Sequence, residues 1–158
     1  MAARKKKADT GEARVLETAE TLLNLLGIKG KVEVAEDKEN EALAVNIETE
    51  EAGILIGRHG ETISAFQVVL GQILQRQTGE WQRVLVDTGD YRTKQQEMLK
   101  SMAEQAAERV KQTGNPYTIY DLTSSQRRFV HMILSEDPQI ITESEGEGRE
   151  RHLVVKPR

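Results

Sequence analysis

Apolar positions recur with two different periods along this chain, and the changes of period mark its elements. Over residues 12–27, Val15, Leu16, Ala19, Leu22, Leu23 and Leu26 keep the i, i+3, i+4 spacing of a helix with one buried face. Gly27 and Gly30 then stop the helix and open a turn. KVEVA (31–35) and ALAVNIE (42–48) alternate with period two on either side of the charged EDKENE, which predicts an antiparallel hairpin with one buried face. Residues 52–56 are too few to assign by period. After Gly60 the stripe Ile63, Phe66, Val69, Leu70, Ile73 and Leu74 predicts a helix closed by Gly79, and WQRVLVD (81–87) reads as a third strand.

The second half repeats this alternation. Asp90 is placed to cap a helix over residues 91–113, with an inward stripe of Met98, Leu99, Met102, Ala106 and Val110. GNP (114–116) terminates it, and YTIYDL (117–122) reads as a strand. Thr123 or Ser124 caps the helix SQRRFVHMIL, and QIITES (139–144) with RHLVVKP (151–157) predicts a closing hairpin across the turn GEG. The fold class is therefore α/β in the α+β sense, with three-stranded sheets packed against helices. The expected organisation is a flexible basic tail (1–11), a first domain (12–88) and a second (89–158), joined so closely that the halves can pack together.

Composition narrows the function. An apolar fraction of 37% and a charged fraction of 30% fit a folded soluble chain, and the lack of cysteine removes disulfide and thiolate chemistry. No apolar run approaches the roughly 18–20 residues of a membrane span. The basic start MAARKKK is not followed by the apolar stretch of a secretory signal. The net charge of -4 argues against a non-specific DNA coat. Acid crowds into residues 33–43, 47–51 and 143–150, while basic residues stand at the amino terminus, at Arg58 and in QRR (126–128), which leaves room for a local anion-binding groove.

One such groove is suggested by ILIGRHGETI (54–63). The phosphate loop GxxxxGK[ST] is missing, and the dinucleotide pattern GxGxxG lacks its strand partner in a chain of antiparallel style. A Gly-x-x-Gly loop has another use. Gly57 and Gly60 carry no Cβ to hold off a sugar-phosphate backbone, and the helix opening near Glu61 offers unpaired N–H groups to phosphate. Arg58 supplies charge-assisted hydrogen bonds, and His59 stacks or donates one. Ile54, Leu55 and Ile56 divide between core anchoring and a surface for bases, so Ile54 and Ile56 join the candidate contacts. This is the logic of a KH loop clamping roughly four nucleotides; the plainer alternative is a helix–turn–helix connection.

A second candidate lies in SSQRRFVHMIL, where Arg127 and His131 stand four apart on one helix face with Arg128 beside them. Phe129 and Ile133 point roughly the other way, with Val130 and Leu134 at the margin. Arginine grips phosphate bidentately, and histidine adds a hydrogen bond; the alternative is a surface arginine beside a structurally bonded histidine. Trp81 opens a strand and either offers a stacking surface or closes a small core. Catalysis finds little support. The three histidines are far apart in sequence, and the HExxH, EF-hand and nucleophile-elbow patterns are absent, so no catalytic residue, metal or cofactor is expected.

Taken together, the segments LIGRHGETISAFQVVLGQI, RVLVDTGDYRTKQQEML, SSQRRFVHMIL and TESEGEGRERHLVVKP resemble, in that order, the bacterial Jag family, also called SpoIIIJ-associated proteins. The resemblance runs from about residue 12 to 157. It implies a KH domain carrying Gly57, Arg58, His59 and Gly60, followed by a domain named for its Arg-x-x-x-His signature, here Arg127 and His131. It further implies a cytoplasmic, non-catalytic regulator linked to cell envelope and division processes. Its implied partner is single-stranded RNA, with single-stranded DNA and protein partners as extensions. The competing expectation is a protein-interaction adaptor with weak or lost RNA binding, its acidic patches suited to a basic partner.

Overall fold

The computed structural model describes the backbone of residues 2–158 and the side chains of residues 11–158. Two compact units, Met1–Tyr91 and Arg92–Arg158, divide it just beyond the boundary expected after residue 88. The side chains of the tail expected over 1–11 lie outside the described residues, Gly11 excepted. The tail's backbone from Ala2 is continuous with the first helix, α1 (Ala2–Leu25). No proline interrupts this stretch, and one glycine costs a helix only about 1 kcal/mol. Among the described residues no helix is long and apolar enough to cross a membrane.

In the first unit the expected hairpin forms. Strands β1 (Lys31–Asp37) and β2 (Ala42–Glu48) pair antiparallel, Val34 opposite Val45. The unassigned residues become a short helix, α2 (Ala52–Ile56), followed by a 3-10 turn and α3 (Glu61–Thr78). Strand β3 is confined to Val84–Asp87, shorter than expected, and joins β2 in parallel to give the order β1-β2-β3. The antiparallel style expected from the sequence therefore fails here. The α2–α3 connection is long enough to return the chain to the same end of the sheet, which a parallel neighbour requires. Gln67 on α3 accepts the Val86 N–H (3.0 Å) and ties the short strand to the helix above it.

The core of this unit joins Val15, Ala19 and Leu23 of α1 to Val45, Ile47 and Val86 of the sheet and to Leu55, Ile63, Phe66, Leu70 and Leu74. Leu26, expected in the first helical stripe, lies beyond the helix end and is exposed. Trp81 sits before β3 rather than in it and is 67% exposed, so it does not close the core. Its ring lies beside Gly71, at a distance where an added Cβ would make ordinary van der Waals contact (3.7 Å).

In the second unit α4 (Tyr91–Thr113) and α5 (Ser124–Ser135) accompany a sheet of order β4-β6-β5, formed by β4 (Tyr117–Ile119), β5 (Ile140–Glu145) and β6 (His152–Pro157). Both pairings are antiparallel. Asp90 does not take the extended conformation of an N-cap; its φ is 56°. The buried stripe of α4 runs through Leu99, Ala103, Ala106 and Val110, and Met98, expected inside, is 54% exposed. Leu99, Ala106 and Val110 keep their expected places, Ala103 joins them, and Met102 is half-buried. These residues pack with Ile119, Val130, Leu134, Leu153 and Val155.

Candidate nucleic-acid interface

The loop between α2 and α3 is built by conformations that ordinary side chains avoid. Gly57 has φ 70° and ψ -172°, and Gly60 has φ 82°. A Cβ on Gly57 would run into Thr62, 2.7 Å from its Cβ and 3.0 Å from its N. A Cβ on Gly60 would stand 2.6 Å from the Tyr91 hydroxyl. Both glycines are thus demanded by the unit's own packing, independently of any ligand. Between them His59 also lies in the left-handed region, at φ 53°, a conformation costing a non-glycine residue about 1 kcal/mol.

This turn leaves Arg58 and His59 exposed at its tip, with Gly60 buried beneath. Gly60 is also the N-cap of α3 and brings no side-chain cap; the Glu61 N–H donates to the Arg58 carbonyl, and no side-chain oxygen caps the first turn. The apolar trio divides as the sequence suggested. Leu55 is fully buried, Ile56 is half-buried and Ile54 is 62% exposed. Ile54, Ile56, Gly57, Arg58, His59 and Gly60 are thereby gathered on one continuous segment.

The second candidate is anchored by the capping of α5. Thr123 takes the Gln126 N–H on its Oγ1 (3.3 Å), and Gln126 returns its Oε1 to the Thr123 N–H (2.9 Å), a reciprocal capping box. Gln126, Val130 and Leu134 face inward, while Phe129 and Ile133 are only half-buried. The expected orientation turned Phe129 and Ile133 away from the arginines and put both Val130 and Leu134 at the margin. The capping box turns Gln126 inward, and the residues four and eight positions on must follow it.

With α5 so turned, Arg127, Arg128 and His131 line a concavity of 350 Å³ together with Ser124 from the helix start and Thr142, Ser144 and Arg151 from the β5–β6 hairpin. Arg127 is half-buried. Its Nη1 donates to the Leu122 carbonyl (2.6 Å) and the Arg151 carbonyl (3.3 Å), and its Nη2 to Ser124 Oγ (3.1 Å). His131 Nδ1 makes a short hydrogen bond with Thr142 Oγ1, which leaves Nε2 as the ring nitrogen for a ligand. Arg151 Nε donates to Ser144 Oγ (3.0 Å). Thr142, Ser144 and Arg151 were missed as site residues from sequence. The closing segment that holds Ser144 and Arg151 was recognisable as a motif, but only strand register brings its side chains to α5.

Acid in this hairpin is kept off the concavity. Glu143 and Glu145 alternate with Thr142 and Ser144 along β5 and both bind Lys156 (2.5 and 2.8 Å). Hydrogen bonding to Glu143 and then Glu145 raises the Lys156 pKa, and the same ammonium lowers that of Glu145. Among the described residues no cluster of three or more His, Cys, Asp or Glu is arranged to hold a metal.

Comparison with known proteins matches both halves in turn. Residues 17–86 match the family model described as KhpA/KhpB, KH domain, and residues 97–157 match the model of the domain named for its Arg-x-x-x-His motif. The chain is therefore a KH domain followed by an Arg-x-x-x-His domain. It is 35% identical to the RNA-binding protein KhpB of Bacillus subtilis over 130 residues, covering 81% of this chain and 62% of that one. It is 26% identical to KhpB of Clostridium symbiosum over 152 residues, covering 96% and 68%. With KhpB of Lactiplantibacillus plantarum the identity is 29% over 155 residues, covering 98% of this chain and 48% of the relative. With both domains matched in order, the chain belongs to the KhpB, or Jag, family.

Proposed function

We propose that this chain binds single-stranded RNA, without catalysing a reaction on it, through the Gly57–Gly60 loop and the Arg127–His131 helix, and that it acts as a regulator. The observation that carries the reading is the α3 terminus. A helix start with no side-chain cap lies directly behind exposed Arg58 and His59, on a turn held by two positive-φ glycines. Phosphate oxygens satisfy such N–H groups, and the arginine adds charge-assisted bonds. Ile54 and Ile56 offer apolar surface for bases next to the loop, while the concavity lined by Arg127, Arg128 and His131 forms the second contact region. That the matched relatives are RNA-binding proteins by name supports RNA over other polyanions.

Titration of a fluorescent single-stranded RNA tests this. Binding weakens as salt rises, and weakens again when Arg58 and His59 are both changed to Asp. Indifference to salt and to both changes rejects the loop mechanism. A DNA oligomer of the same sequence, used as competitor, measures what the 2′-hydroxyl contributes. The footprint separates one site from two, since a KH loop alone protects roughly four nucleotides.

The adaptor reading has one observation in its favour: Val68 and Val69 on α3 are 56% and 44% exposed. It expects RNA affinity to be weak in the native chain and untouched by the Asp changes.

A further inference from the structure

We infer that the phosphate-binding charge of the second concavity is supplied by Arg151, and that the signature residue Arg127 is a positioning residue acting through it. This rests on the RNA-binding reading above and assigns roles within its second site.

The hydrogen-bond inventory separates the two arginines. A guanidinium grips a phosphate best with two parallel N–H groups. Arg127 has Nη1 engaged by two carbonyl oxygens and Nη2 by a hydroxyl, which occupies its end-on edge within the protein. These bonds join the residue preceding the α5 cap, the first turn of α5 and the residue just before β6. Arg127 is thus a strut across three chain segments. Arg151 is exposed and held at one point only, Nε to Ser144 Oγ (3.0 Å). Among the described residues its terminal nitrogens make no hydrogen bond or ion pair. An arginine fixed at Nε with its end-on fork outward has lost part of its rotamer freedom before a ligand arrives, so binding costs less entropy.

The strut and the contact are connected. The carbonyl that accepts from Arg127 belongs to Arg151 itself (3.3 Å). Loss of Arg127 therefore releases the backbone that carries Arg151. The two carboxylates of β5, Glu143 and Glu145, are held by Lys156 instead. Arg128 and His131 line the same concavity and complete a cationic and hydrogen-bonding rim.

The test uses the full chain, an oligouridine of about ten nucleotides and a salt series, with thermal unfolding measured alongside. Arg151→Gln is expected to lower affinity roughly tenfold, to reduce the slope of log affinity against log salt by about 0.7, the value for one single-strand phosphate contact, and to leave the unfolding temperature unchanged. Arg127→Gln and Arg127→Lys are expected to lower the unfolding temperature and the affinity while the salt slope stays native. Lysine does not rescue, since one ammonium cannot span the three acceptors. The inference is overturned if Arg151→Gln changes neither affinity nor slope. It is equally overturned if either Arg127 variant loses slope at native stability. A native chain that does not bind the oligomer removes the RNA-binding reading and this inference with it, whereas native binding with an indifferent Arg151→Gln removes this inference alone.

Discussion

Replacing the loop glycines by alanine separates three costs that sequence alone would lump together. Gly79 closes α3 at φ 72° with nothing within 4 Å of a would-be Cβ. Gly79→Ala therefore feels only the left-handed conformation, about 1 kcal/mol. Gly60→Ala has the same conformational cost and must also push back the Tyr91 hydroxyl, 2.6 Å away. The far end of a ring side chain yields, so the total is about 2 kcal/mol. Gly57→Ala is the severe case. Its φ of 70° with ψ -172° lies in a region kept for glycine. The new methyl also meets Thr62 at its Cβ (2.7 Å) and backbone N (3.0 Å), atoms that cannot swing aside. Conformation and clash together reach about 3 kcal/mol or more, roughly 10 °C or more in the unfolding midpoint of a unit this size. Trp81 is the only tryptophan and lies in the first unit, so its fluorescence during urea unfolding follows this unit. The expected order of stability is Gly79→Ala above Gly60→Ala above Gly57→Ala. In a Thr62→Ala background Gly57→Ala recovers part of its loss, because the Thr62 Oγ1, the atom nearest the new methyl, is gone while the Cβ remains. A Gly57→Ala variant as stable as Gly79→Ala would refute the loop geometry, and the claim that packing rather than ligand access demands this glycine.

Two further outcomes follow from the second unit. Thr123→Ala removes one half of the capping box and is expected to destabilise that unit by about 1 kcal/mol, read by circular dichroism at the helical band; no change would mean that Gln126 alone orients α5. Lys156→Gln is expected to lower the unfolding temperature slightly at neutral pH. Hydrogen bonding to Lys156 holds the Glu145 pKa below its ordinary value, so the pair's contribution is complete above the normal carboxylate range and is lost as pH falls through the depressed pKa. The gap between native and variant should close in acid, and a gap that widens instead would reverse the assigned sign.

What the sequence determined by itself are the features governed by near neighbours. The alternation of residues 42–48 became a strand with those bounds, and the helix over 91–113 kept its limits. Gly57, Gly60, Gly79 and the Thr123 cap each mark a break that a few consecutive residues dictate. The RNA-contact candidates on the loop were legible for the same reason, being consecutive. The two hairpin pairings were also legible, but tertiary structure alone decided the pairings between elements far apart in the chain. Parallel pairing of β3 with β2 depends on where the α2–α3 crossover returns the chain, and no local pattern encodes that. The rotation of α5 that buries Val130 was set by Gln126 turning inward, a choice that the ambiguous stripe of Phe129, Val130, Ile133 and Leu134 left open. ILIGRHGETI and the Arg-x-x-x-His helix were both candidates from their residues, whereas the side of the second concavity built by the β5–β6 hairpin was not. Thr142 and Ser144 reach it only through strand register, in which a shift of one residue would send them to the opposite face, and Arg151 reaches it from the turn just before β6.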